Sequence, residues 1–130
     1  MSKNGSKELQ QFLDDPRPEL IEVIVGEIEG RMVELMVNSY GNYFSQKLLM
    51  VLDSNQKHRL LSDVVQNFDR ISCDHRGTHA MQSFVDSVTT DAQENLLIGA
   101  LQDRVLQLSL HAHATFVLQK IVLLMPEHKL

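Results

Sequence analysis

Three short segments of this chain set an amide side chain and a flat ring at one fixed spacing. They are Gly41-Asn42-Tyr43-Phe44-Ser45-Gln46-Lys47, Gly77-Thr78-His79-Ala80-Met81-Gln82-Ser83 and Ala114-Thr115-Phe116-Val117-Leu118-Gln119-Lys120. On a wheel of 100° per residue with Asn42 at zero, Gln46 falls at about 40° and Tyr43 at about 100°. The wheel therefore predicts one exposed face carrying Asn42, Tyr43 and Gln46. Thr78, His79 and Gln82 hold the same places in the second segment, and Thr115, Phe116 and Gln119 in the third. Amides offer donors and acceptors that can match a base edge. Flat side chains such as Tyr43, His79 and Phe116 can stack on bases, worth about 1–3 kcal/mol each. Lys47 and Lys120 stand one step past the glutamine, within reach of phosphates, and His75, Arg76 and His113 precede the segments and add local positive character. A second reading of the same residues stays open at this level. A glutamine can recur in stacked helices to satisfy backbone groups, and the rings can be filler between repeats.

The elements that position these segments repeat with them. The glutamines at 46, 82 and 119 are 36 and 37 residues apart, and a period of about 20–50 residues marks a repeat architecture. The register extends upstream. At 17, 16, 13, 9 and 6 residues before Gly41, Gly77 and Ala114 stand Ile24, Val25, Ile28, Met32 and Leu35; Leu60, Leu61, Val64, Phe68 and Ile71; and Leu97, Ile98, Leu101, Val105 and Leu108. Every one is apolar, and the offsets fall on one face of a helix. Each repeat thus reads as an amphipathic first helix, a small-residue break and a second helix carrying the glutamine. The extra residue of the longer spacing is expected in the polar stretch Thr89 to Glu94. At Gly41 and Gly77 a left-handed or close-packed turn costs little.

Such a unit cannot bury its apolar face alone and must stack on its neighbours. The expected fold is all-α, a right-handed α-solenoid of about 36-residue repeats. Pro16 and Pro18 mark entry into the first repeat, which leaves residues 1–18 as a tail or partial cap. The repeat region is then 19–130, with repeats near 21–56, 57–92 and 93–130. Leu118, Ile121, Val122, Leu123, Leu124 and Met125 are too apolar for a solvent-facing end, and Pro126 to Leu130 resembles the start of another first helix. Two readings of this end compete: the chain is a piece of a longer array, or the uncapped helix meets another chain, including a second copy.

Composition narrows the function classes. A net charge of −5 opposes gripping nucleic acid by bulk electrostatics, so any such role must rest on a local surface. With Cys73 the only cysteine, no disulfide framework forms within the chain. The polar stretch Met1 to Lys7 lacks a signal peptide's apolar core, and no run approaches the roughly 18 apolar residues of a membrane span. The expectation is a soluble, intracellular protein.

Enzymatic chemistry finds no support. There is no Gly-rich phosphate loop, GxSxG elbow or HExxH. Cys73, where the other repeats have Val37 and Leu110, reads as a small apolar residue. His75 and His79 straddle Gly77, and His111 and His113 would point apart on a helix, so neither pair makes a zinc site. Asp14, Asp15, Glu27 and Glu29 suit a solvated face. Met32, Met36, Met50, Met81 and Met125 suit core filler. No metal or cofactor is implied.

The segments Tyr-Gly-Asn-Tyr-Phe-Ser-Gln-Lys, His-Arg-Gly-Thr-His-Ala-Met-Gln and Ala-Thr-Phe-Val-Leu-Gln-Lys, with the tract Leu35 to Tyr43, resemble the Pumilio (PUF) repeat family over about residues 20–125. The resemblance implies that Asn42 and Gln46 form a uracil-reading pair with Tyr43 stacking. It also implies that Thr78 with Gln82, and Thr115 with Gln119, are weaker, adenine-tolerant pairs, with His79 and Phe116 stacking. The family binds RNA antiparallel to the protein, which implies a core of 5′-A-A-U-3′. It further implies sequence-specific binding of single-stranded mRNA, repression or decay through 3′ untranslated regions in the cytoplasm, and recruited protein co-regulators. Departures are the acidic balance, Ser83 in place of lysine, and three repeats where family members typically carry eight. The alternative is a protein-binding α-solenoid scaffold of HEAT or armadillo type, or a degenerate Pumilio array.

Overall fold

The computed structural model describes residues 2–125, and over that span it is all helix with no strand. The elements are α1 (Lys3–Phe12), α2 (Pro18–Ile28), α3 (Met32–Met36), α4 (Gly41–Leu49), α5 (Ser54–Gln66), α6 (Phe68–Cys73), α7 (Gly77–Asp86), α8 (Asp91–Leu101), α9 (Val105–Ser109) and α10 (Ala114–Leu124). Each repeat therefore has three helices, where the apolar pattern predicts two. The upstream helix breaks before its last five or six residues. Gly30 at φ 84° and Asp103 at φ 63° make the break left-handed in the outer repeats, and Asn67 at φ −119° makes it in the middle one. The break at Gly30 is tied across repeats, because Asp63 Oδ2 accepts from the N–H of Gly30 at 3.1 Å and of Met32 at 2.9 Å. Since apolar residues stand on both sides of each break, the periodicity runs through it unmarked.

The repeats stack in two layers. Helices α1, α4, α7 and α10 pack in sequence side by side, and α2, α5 and α8 form the opposite layer, with α3 and α6 between them. One continuous core fills the space, including Val25, Met36, Phe44, Leu60, Phe68, Met81, Phe84 and Leu97. Of the fifteen apolar register positions, only Val105 lies exposed. It belongs to the last repeat, where no described neighbour covers α9.

Local chemistry starts the helices. Pro18 occupies the first turn of α2, Asp53 and Gln56 form a reciprocal capping box on α5, and Thr90 Oγ1 accepts from Gln93 N–H at the head of α8. The glutamine helices share another device. Asn38 Oδ1 accepts from the N–H of Tyr40 and Gly41, both at 2.9 Å, and Asp74 Oδ1 accepts from Arg76 and Gly77, both at 2.8 Å. In the third repeat His111 Nδ1 takes the part, accepting from His113 at 3.1 Å and Ala114 at 3.3 Å.

The glycine breaks work by close approach rather than by left-handed backbone. A Cβ on Gly41 would lie 2.5 Å from Leu35 O, and one on Gly77 would lie 2.5 Å from Ile71 O. The added residue of the longer period lies in the α7–α8 connection: Val51 N–H to Leu48 O and Ser87 N–H to Phe84 O still keep the 36-residue register, whereas the next N-caps, Asp53 and Thr90, are 37 apart. It falls at the start of the polar stretch expected to hold it. The last two helices leave Leu106, Leu110, Leu123 and Leu124 exposed as an apolar end face. The resemblance of Pro126 to Leu130 to a first helix lies outside the described residues. Among the described residues no helix is long and apolar enough to cross a membrane.

Candidate nucleic-acid interface

Side-by-side packing of α4, α7 and α10 sets their equivalent positions in a row. Tyr43 is 61% exposed and Phe116 is 53% exposed, and His79 is exposed with them, so the three flat side chains line one surface. Gln46 and Gln82 are half-buried beside them, and Gln119 is exposed. The leading residue of each set departs from the wheel. Asn42 is 4% exposed, Thr78 is 2% exposed, and only Thr115 keeps intermediate exposure. A single-helix wheel omits the neighbouring repeat. Thr78 Oγ1 donates to His113 O of the next repeat's turn at 3.0 Å, whereas no described repeat follows Thr115.

These buried groups orient the glutamines. Asn42 Nδ2 donates to Asn38 O at 2.8 Å and Ser39 O at 3.1 Å, which uses its donors and leaves Oδ1 as its acceptor. Gln46 Nε2 approaches that Oδ1 at 3.5 Å, the long limit of a hydrogen bond. Gln46 Oε1 accepts from Ser83 Oγ at 2.9 Å. In the next repeat Gln82 Nε2 donates to Thr78 Oγ1 at 3.2 Å. An open groove of about 620 Å³ runs over α1, α4 and α7, lined among others by Gln10, Tyr43, Gln46, Lys47 and Ser83.

The two lysines are engaged. Lys47 pairs with Asp14, in the turn after α1, at 2.6 Å, and Lys120 pairs with Asp86 of α7 at 2.5 Å. Arg76 and His75 are exposed at the head of α7, and His113 is half-buried at the head of α10. On the opposite layer Arg59 of α5 bridges Glu22 and Glu29. Gln56 and Arg59 hold the Glu22 carboxyl below the usual carboxylate range. Cys73 is half-buried against the core, and burial, with help from the Asp69 carboxylate, pushes its thiol up. Among the described residues no group of three or more His, Cys, Asp or Glu is placed to hold a metal.

One set of residues escaped sequence reasoning. Gly5, Lys7 and Gln10 stand 36 residues before Gly41, Tyr43 and Gln46, and Ser6 shares the register of Asn42. Their helix, α1, packs on α4 as α4 packs on α7. The stretch read as tail or partial cap thus includes a helix that packs on α4 and carries Gln10 in the register of Gln46. The glycine and glutamine spacing was the available signal. It is masked by Glu8 and Lys7, which replace Phe44 and Tyr43, and by the lack of upstream residues on which to extend the register.

Stacked helical repeats with flat side chains and amides aligned on one layer define the class, an α-solenoid. The profile of the Pumilio-family RNA binding repeat matches residues 31–65 and 104–127. The chain is 30% identical over 126 residues to a Pumilio domain-containing protein of Schizosaccharomyces pombe, and 29% identical over 121 residues to Pumilio homolog 12 of Arabidopsis thaliana. These alignments cover 97% and 91% of this chain, but only 16% and 20% of those relatives. The fold superposes on a Puf4 RNA binding domain bound to an HO endonuclease RNA 3′ UTR recognition sequence, with TM-score 0.92 and 29% identity. That match covers 98% of this chain and 40% of the Puf4 chain. The chain belongs to the Pumilio (PUF) repeat family, a non-catalytic, helical-repeat family.

Proposed function

We propose that this chain binds single-stranded RNA sequence-specifically, one base against each glutamine helix. The observation that carries the reading is the exposed row of Tyr43, His79 and Phe116, each with a glutamine three residues on. Bases stack on the row, and Asn42 with Gln46, Thr78 with Gln82, and Thr115 with Gln119 meet their edges. Gln10, with Lys7 in the ring position, extends the row to a fourth base on α1. Arg76 is free to approach a phosphate, while Lys47 and Lys120 do so only by leaving their carboxylates.

The bound sequence is 5′-A-A-U-3′ across the three repeats, with uracil at Asn42 and Gln46. The RNA is mRNA read in a 3′ untranslated region in the cytoplasm, where protein co-regulators carry out repression or decay. The support is family membership together with relatives captured on 3′ UTR sequences. The apolar end face of Leu106, Leu110, Leu123 and Leu124 favours a second association at that end, with a further repeat, another copy or a scaffolded protein.

Ultraviolet crosslinking of this chain to 5′-A-A-U-containing RNA, followed by mass spectrometry of the adducts, tests the reading. Adducts at Tyr43, His79 and Phe116 are expected. Adducts confined to α2, α5 and α8 would contradict it.

A further inference from the structure

The three junctions between glutamine helices are not built alike. Counting by repeat register, Asp14, Met50 and Asp86 are equivalent, and so are Lys47, Ser83 and Lys120. The α1–α4 and α7–α10 junctions are braced by Asp14–Lys47 and Asp86–Lys120 ion pairs. At the α4–α7 junction both partners are replaced. Met50 stands 83% exposed, and Ser83 turns its hydroxyl to Gln46 Oε1 at 2.9 Å. The brace is gone, and a hydrogen bond to a base-reading amide stands in its place.

That bond has a chemical consequence. With Oε1 taken by Ser83, the Gln46 amide is held with its NH2 as the group left for a ligand in the groove. One N–H of that amide approaches Asn42 Oδ1 at 3.5 Å, and Asn42 is 4% exposed with both donors on backbone carbonyls, so the group the subsite presents is the other Gln46 N–H. The O4 acceptor of uracil complements that donor. Cytosine is the same size and sets its N4–H2 against the Gln46 NH2. Freed from Ser83, the amide can turn over and offer Oε1 to the cytosine amino group.

We propose that Ser83 is a positioning residue for base discrimination by the preceding repeat, fixing the Gln46 amide so that this subsite takes a keto base edge over an amino one. The proposal rests on the RNA reading above and adds a residue that itself contacts no base.

The test compares wild type, Ser83→Ala and Ser83→Thr, using decameric adenine RNAs that carry one uridine or one cytidine in its place. Fluorescence anisotropy gives the ratio of affinities for the two RNAs, and circular dichroism confirms the fold of each variant. The expected result is a uridine preference in wild type that falls about fivefold in Ser83→Ala, the effect of losing one neutral hydrogen bond. Ser83→Thr keeps the hydroxyl and retains the preference. An unchanged ratio in Ser83→Ala overturns the proposal, and so does an equal loss of affinity for both RNAs, which a merely structural serine would give. A wild type that binds neither RNA overturns the RNA reading itself and this proposal with it.

Discussion

Thr78 Oγ1 donates to the carbonyl oxygen of His113, 3.0 Å away and one repeat further along the chain. Thr78 Oγ1 in turn accepts from Gln82 Nε2 at 3.2 Å. One hydroxyl thus seals a repeat junction and orients the Gln82 amide, so repeat stacking and the proposed recognition share an atom. Thr78→Val, which keeps the shape and removes the hydroxyl, leaves His113 O without its donor and Gln82 without its acceptor. The expected cost is about 1–3 kcal/mol in urea unfolding. A change within a few tenths would show that water replaces the hydroxyl at no cost.

The close approach at the glycine breaks gives a sharper stability test. Gly41→Ala and Gly77→Ala drive a methyl to 2.5 Å from a backbone oxygen, and each is expected to cost about 1–3 kcal/mol or more. Ala114→Gly, where the third repeat already accepts a methyl, is expected to cost only about 0.5–1 kcal/mol through chain entropy. Equal effects at all three sites would contradict the packing assigned to the glycines.

The shared cap ahead of each glutamine helix predicts an exchange rule. His111→Asn is expected to be near neutral, because Asn38 does the same work in the first repeat, whereas His111→Ala is expected to cost about 0.5–2 kcal/mol. Urea denaturation decides it. A His111→Asn loss as large as that of His111→Ala would mean the ring matters for packing and not for its Nδ1.

Burial and Asp69 raise the Cys73 thiol above its ordinary value. The fold thus favours the neutral thiol, and this contribution is complete below the unfolded pKa of about 8.5 and lost as pH rises through the folded value. Iodoacetamide at pH 8 is expected to alkylate the folded protein more slowly than the urea-unfolded chain. Equal rates would remove the burial argument.

The repeat register was legible because residues meeting the same neighbours every 36 or 37 positions must be alike in kind. Gln46, Gln82 and Gln119, with the apolar columns upstream, located the core and the helices proposed to read bases. The split at Gly30, Asn67 and Asp103 was not legible, because apolar residues continue in phase on both sides. The burial of Asn42 escaped the wheel because its amide folds back on the Asn38 and Ser39 carbonyls of its own turn, and that of Thr78 because the His113 turn it bonds belongs to the next repeat. The ion pairs of Lys47 and Lys120 cross repeats for the same reason, and only the stacked structure shows a carboxylate beside each.

Those pairs predict the salt response. With Lys47 and Lys120 engaged, RNA affinity is expected to fall only shallowly with salt. Asp86→Asn, which frees Lys120, is expected to steepen the log–log slope by about 0.7, the value of one added phosphate contact on a single strand. An unchanged slope would mean Lys120 reaches no phosphate.

The most direct measurement is fluorescence anisotropy of short labelled 5′-A-A-U-containing RNAs against wild type and Asn42→Ala/Gln46→Ala, at several salt concentrations. The predicted result is a preference of wild type for that RNA over one with the uridine replaced, abolished in the double variant while circular dichroism shows the fold intact. A folded wild type with no preference among the RNAs, or a double variant that discriminates as well as wild type, would contradict base reading by this face.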